Sequence, residues 1–162
     1  MAGERLDRSA LIAAALTVFT LSFIIHMPGP YGNPSNYSDI VFLYERDFIA
    51  GVRVPYLEFR FEYPVIVGLL FYSSAVVPEL LGLTGRPAIL LYYTLMSIPI
   101  LVSYIALILG LLELSKHLHS PMWRIMVFSV FAPSFIYFLV YNWDVIAICL
   151  AVWSLVKWSR GD

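Results

Sequence analysis

"VIVGLLFYSSAVVPELLGLTGRP", residues 65–87, decides how many times this chain crosses a membrane. Its apolar run, Val65–Val77, is 13 residues long before Pro78, Glu79 and the glycines around Thr84 interrupt it. A helix needs about 20 apolar residues, with about 17 as a lower limit, to span the hydrocarbon core. The run is therefore expected to form a short interfacial or re-entrant helix rather than a span.

The rest of the chain makes the question worth asking. Of 162 residues, 60% are hydrophobic and 13% charged, and the mean hydropathy is +0.82. A soluble domain carries about a quarter of its residues as charges. Composition thus indicates a polytopic membrane protein, all-α, built as one module over 1–162. The net charge of −1 and the lack of a basic run exclude a nucleic-acid partner. Cys149, the single cysteine, has no internal disulfide partner and reads as a small core hydrophobe.

Four spans are expected, at 9–26, 88–112, 122–140 and 143–158. The second contains Pro99 and the third Pro133, each a site for a kink. The first follows Arg5 and Arg8 and is succeeded by "HMPGPYGNP", which lacks a small-x-small cleavage site, so it reads as an uncleaved helix. With 65–77 not crossing, six bases fall on one side: Arg5, Arg8, Lys116, Arg124, Lys157 and Arg160. Four fall on the other: Arg46, Arg53, Arg60 and Arg86. A crossing segment would leave three inside and seven outside. The positive-inside rule favours the first arrangement. It predicts a multi-pass cell-membrane protein with a cytoplasmic N-terminus and an extracytoplasmic loop over 27–87.

That loop collects charge. Residues 37–64 hold five of the eleven acids and three of the ten bases. Asp39–Ala50 is expected to form an amphipathic surface helix, started by Asp39 and closed at Gly51, with Pro55 preventing continuation. Asp39, Leu43 and Arg46 share one face; Val41, Tyr44 and Phe48 form an apolar face toward the membrane. A carboxylate beside a guanidinium can accept a proton from a sugar hydroxyl while arginines hold a phosphate. The same pattern also describes a solvated surface helix with incidental ion pairs. Glu62 and Tyr63, ahead of Pro64, can bind substrate or anchor the next helix. Arg53 and Arg60 can bind a donor phosphate or bilayer headgroups. Asn142 and Asp144 in "YNWD" can cap the fourth span or, on the outer face, join Asp39 in one site. His117 and His119 have His-x-His spacing but few further ligands nearby. His26 reads as an interface residue.

The order of these pieces resembles a family. "YSDI" (37–40), "AGVRVPY" (50–56), "EYP" (62–64) and "APSFIYFLVYNWD" (132–144) are similar to the N-terminal half of GT-C glycosyltransferases. The likeness is to bacterial polyprenol-phosphate-mannose-dependent mannosyltransferases and, second, to the first mannosyltransferase of glycosylphosphatidylinositol synthesis. The resemblance implies hexosyl transfer, with inversion, from a polyprenyl-phosphate sugar at the extracytoplasmic face. Asp39 would be the catalytic base and Asp144 an orienting acid; Arg46, Arg53, Arg60, Glu62, Tyr63 and Asn142 would bind substrate. Family members often carry an Asp-x-Asp pair in this loop, whereas Ile40 and Val41 follow Asp39 here, so no cofactor is called for and no basis remains for a divalent metal. The chain covers about half of a usual member, which implies a fragment, a minimal module, or a half completed by a second membrane subunit. The alternative is a non-catalytic polyprenyl-phosphate-binding or scaffold subunit. A transporter lacks support, since no repeat or buried charge series is present.

Overall fold

A computed structural model describes residues 8–29 and 37–161. Among them the chain is helical, with no β-strand. The helices are α1 (Arg8–His26), α2 (Asp39–Asp47), α3 (Val65–Leu80), α4 (Gly85–His117), α5 (Met122–Ile125), α6 (Pro133–Phe138) and α7 (Asp144–Arg160). A π-helical turn, Met126–Val130, continues α5.

α4 is the central post. Its 33 residues rise about 50 Å, and it packs against α1, α2, α3, α5 and α7. Its buried residues recur every fourth position from Ala88 through Tyr92, Met96, Ile100, Tyr104, Ile108 and Leu112, joined by Ile89, Tyr93 and Ser97 on a neighbouring line. Pro99 removes one backbone donor, yet the helix continues through it. α1 contributes one stripe, Leu11, Ala15, Val18, Ser22 and His26, and leaves Leu16, Leu21 and Ile24 exposed.

α4 and α7 run parallel. The Trp153 indole donates to the Ala106 carbonyl (2.9 Å), and Arg160 bonds Glu113 (2.6 Å), both pairs offset by 47 residues. They approach closely because Gly110 faces Val152 and Trp153; a Cβ there would sit 3.0 Å from Val152 Cγ1. A parallel pair needs a return crossing between its members, and residues 122–138 supply it.

That return is not the continuous helix expected over 122–140. α5 and the π turn stop at Val130, and α6 starts afresh at Pro133. Proline disfavours helical backbone in the preceding residue, and Ala132 is extended (φ −60°, ψ 130°). α7 has 17 residues. Among the described residues, α1 and α4 are the helices long and apolar enough to cross a membrane, two rather than the four expected.

α3 runs three residues further than the apolar run, with Pro78 inside its last turn. It ends in a Schellman motif: Gly82, at φ +64°, donates to Glu79, and Leu83 donates to Pro78. Both its ends are bound by the charged loop. Glu79 Oε2 accepts the Val52 N–H (3.1 Å) near one end, and the Tyr56 ring lies across Gly68 near the other. α3 therefore folds back on the first turns of α4 as a hairpin.

α2 also departs from expectation. It begins at Asp39 and ends at Asp47, with Gly51 in the positive-φ region (+124°) just beyond. The face expected toward the membrane is turned into the protein, and Phe42 is the helix's exposed apolar residue. Ile40, Val41, Leu43 and Tyr44 are buried against the protein, with Tyr44 stacked on Tyr92 (4.5 Å) and Phe48 against Phe71 (5.0 Å). The aromatic core beneath α2 covers more apolar area than a surface position would, which draws the helix inward.

Candidate functional site

The site begins at a helix end. The last carbonyls of a helix lack partners within it, and those beyond α6 are taken by two distant segments. From α1, Ser22 donates to Tyr137 O (3.2 Å) and accepts from Val140 N–H (2.9 Å), and His26 Nε2 lies 2.7 Å from Tyr137 O. From the first loop, Ser38 Oγ (3.1 Å) and the Asp39 N–H (3.0 Å) both donate to Tyr141 O. His26 is thus fully buried between the rings of Tyr137 and Tyr141, not at an interface. Its Nε2 has the Tyr137 carbonyl as partner, whereas its Nδ1 is buried with no hydrogen-bond partner among the described residues.

This seam sets Asp39, half-buried, beside the "YNWD" turn. The Asn142 amide donates to Asp144 Oδ2 (2.9 Å) and its oxygen accepts the Asp144 N–H (3.1 Å), so Asn142 both opens α7 and orients the acid. Trp143 is buried and takes the edge of Tyr63 at 4.3 Å. The Tyr63 phenol is raised by burial and by Asp39, Glu62 and Asp144, and lowered by Arg46. One phenol therefore senses four of the charged residues singled out in the sequence. The Tyr37 phenol is pushed up to about 12 by burial and by its hydrogen bond to Asp39. Tyr141 is raised by burial and by the same acid.

The three loop arginines separate. Arg46 gives Nε and Nη2 to the two oxygens of Asp47 (both 2.9 Å) and Nη1 to Glu62 (3.0 Å). These carboxylates raise its pKa and occupy the fork a phosphate would use. Arg53 stacks over Phe59 (5.1 Å) and reaches the Asp47 carbonyl (3.5 Å). Arg60 is exposed on the turn over 56–61 and has no ion-pair partner among the described residues.

Beside Asp144 opens a cavity of about 240 Å³ between α6 and α7. Its walls are mainly apolar, from Phe135, Phe138, Val145 and Ile148, and Asn142 and Asp144 supply polar groups. A second groove of about 360 Å³ lies between the end of α2 and the α3–α4 turn, with Glu79 on its wall. Among the described residues no three His, Cys, Asp or Glu side chains converge to hold a metal, His117 and His119 included.

Tyr37, Tyr141 and Asp47 belong to this assembly and were not singled out in the sequence, and His26, read there as an interface residue, joins them. Tyr37 and Tyr141 adjoin the two motifs and were accessible to a closer reading. Asp47 was hidden because its burial depends on how α2 packs. Compared with known protein families, curated proteins and solved structures, the chain matches none.

Proposed function

We propose that the chain is a GT-C-like glycosyltransferase module in a cell membrane, transferring a sugar from a polyprenyl phosphate at the extracytoplasmic face. The observation that carries this reading is the junction at Tyr141, where the first loop and the "YNWD" turn share one carbonyl. It sets an acid of the first loop, Asp39, in the same phenol's field as an acid of a later helix, Asp144. In this reading α1, α4, the broken α5–α6 segment and α7 are four crossings, and α3 stays outside with the loop that grips both its ends. Parallel α4 and α7 support that alternation. The break before Pro133 is tolerable at membrane depth because irregular backbone can line a cavity.

Asp39 acts as general base on the acceptor hydroxyl, with Tyr37 donating to it and restraining its orientation. Asp144, held by Asn142, orients the sugar. Asp39, Asp47, Glu62 and Asp144 against Arg46 leave this site net negative, which suits a neutral hydroxylic group better than a phosphate. The donor phosphate falls to Arg53 and Arg60, with its lipid chain against apolar side chains.

Asp39→Asn tests this. The bond to Tyr141 is made by the backbone, so the substitution leaves the junction intact. An amide accepts no proton at neutral pH, and general base catalysis contributes about 10²–10⁴-fold. Sugar transfer by the assembled enzyme should fall by that factor while polyprenyl-phosphate binding persists. Wild-type transfer by Asp39→Asn removes the base. Absence of transfer in every assembled form, with binding retained, makes the chain a lipid-binding scaffold.

A further inference from the structure

The groove between the end of α2 and the α3–α4 turn shares no lining residue with the cavity beside Asp144, and the proposed reaction makes no use of it. Its volume of about 360 Å³ falls within the range of small-molecule pockets, about 300–1,000 Å³. Gly51, Gly82 and Gly85 border it, and no atom stands within 4 Å of where a Cβ would sit on any of them. Backbone is therefore bare to whatever enters. Phe48, Leu83 and Ile89 give the space an apolar wall. Glu79 is the one charged residue lining it. The bases nearest along the chain, Arg53 and Arg86, do not line it, and Arg53 is turned onto Phe59.

The polar groups of this groove have hydrogen bonds to give. Tyr44 lines it and is 7% exposed, yet its phenol makes no hydrogen bond among the described residues. Behind it Tyr92, stacked on Tyr44 at 4.5 Å, has a buried hydroxyl that is also unpartnered. Buried hydroxyls in folded proteins are nearly always paired, so two idle phenols in contact single out this wall. Thr84, just before α4, makes no capping bond with its hydroxyl, which leaves the first N–H groups of α4 uncapped. Glu79 Oε2 accepts the Val52 N–H, and Oε1 has no partner among the described residues. Burial and Glu79 together raise the Tyr44 phenol, so hydroxyl and carboxylate share one field.

This mixture selects a ligand. A cation only donates, and leaves the phenol, the Thr84 hydroxyl and the helix N–H groups without an acceptor. An anion only accepts, and meets the Glu79 charge. A hydroxyl does both: a ring carrying several can accept from Tyr44 or Thr84 and donate to Glu79, with its C–H face on the apolar wall. We propose that the groove binds a neutral, polyhydroxylated ring, a single hexose unit, held by Tyr44, Glu79 and Thr84. The site requires neither sugar transfer nor a lipid donor, so it stands or falls separately from the glycosyltransferase reading. Under that reading, the ring held here is not the one that reacts at Asp39.

The test uses the full chain in phosphatidylcholine nanodiscs, free of sugar detergents, with methyl glucoside, methyl galactoside and methyl mannoside as probes in saturation-transfer difference NMR. At least one probe should show saturable transfer, strongest at its C–H ring protons. Tyr44→Phe keeps the stacked ring, removes the hydroxyl alone, and should weaken that probe about fivefold. Glu79→Gln keeps an acceptor for the Val52 N–H, replaces the free oxygen, and should weaken it by about as much. Thr84→Val, at an exposed position, should weaken it about twofold and decides the matter even if Tyr44→Phe unfolds. Neither 2-aminoethanol nor inorganic phosphate should compete. No saturable transfer from any methyl hexoside, wild-type affinity in all three variants, or displacement by 2-aminoethanol overturns the groove site. Loss in Asp144→Asn with Tyr44→Phe unaffected moves the ring to the junction, which overturns the groove and leaves the transferase reading standing. Probe binding that obeys these variants, in a chain whose every assembled form lacks transfer, upholds the groove and removes the transferase reading.

Discussion

Replacing Arg46 by alanine separates a structural arginine from a phosphate ligand. The Asp47 side chain is 9% exposed and receives two 2.9 Å bonds from Arg46. Removing one partner of a buried ion pair costs about 3–5 kcal/mol, because the other charge stays desolvated. Arg46 is itself 34% exposed, so water screens the pair and the figure falls to about 2 kcal/mol. For a chain of this size that is a drop of about 4–8 °C in midpoint. Arg46→Lys should cost nearly as much, since a point charge cannot reproduce the fork. Asp47→Asn keeps an acceptor and should cost about 1 kcal/mol. The double variant Arg46→Ala/Asp47→Asn removes the charge with its partner and should lose only about 2 kcal/mol, less than the sum of the singles. Thermal unfolding in neutral detergent, followed by tryptophan fluorescence, measures all four. An Arg46→Ala midpoint equal to wild type, or strictly additive losses, would refute the buried-pair argument and return Arg46 to the list of free phosphate ligands.

Gly110→Val overfills the α4–α7 contact and breaks the Trp153–Ala106 bond, so unfolding should become easier by about 2 kcal/mol with a red-shifted tryptophan spectrum. The Tyr37 phenol is raised from 10.0 to about 12, so the folded state favours its neutral form. Its contribution to stability is complete below pH 10 and is lost as pH rises toward about 12; in Asp39→Asn that loss should shrink, as a pH series of unfolding midpoints would reveal. In a Cys149→Ala background, a cysteine at the exposed Leu57 should react with an impermeant reagent only from outside, and one at Ser120 only from the cytoplasm. Labelling of both from one side would remove the four-crossing reading.

Several features were legible because they depend on neighbours in sequence. Periodic apolar runs determine α1 and α4. Asp39 is the first residue of α2, as expected, and the Asn142 side chain accepts the Asp144 N–H at the start of α7. The second is a local contest decided within two residues, whereas the Asp39 N–H is taken by Tyr141, far along the chain. The 13-residue length of Val65–Val77 was likewise enough to mark it as unlike the long helices, although its true end at Leu80 required the Gly82 motif.

What the tertiary structure alone decided is which partner each polar group found. Periodicity put Tyr44 and Phe48 on an apolar face, but whether that face met lipid or protein depended on Tyr92 and Phe71, tens of residues away. Three arginines looked equivalent in one loop. Packing gave Arg46 two carboxylates, Arg53 an aromatic face and Arg60 open surroundings. His26 looked like a residue at a water boundary until the unpaired carbonyl of Tyr137 was placed against it. Helix type follows from local backbone energetics, whereas the partner of a buried charge or an orphan carbonyl is set by whichever distant segment packs there, and that choice is not written in spacing.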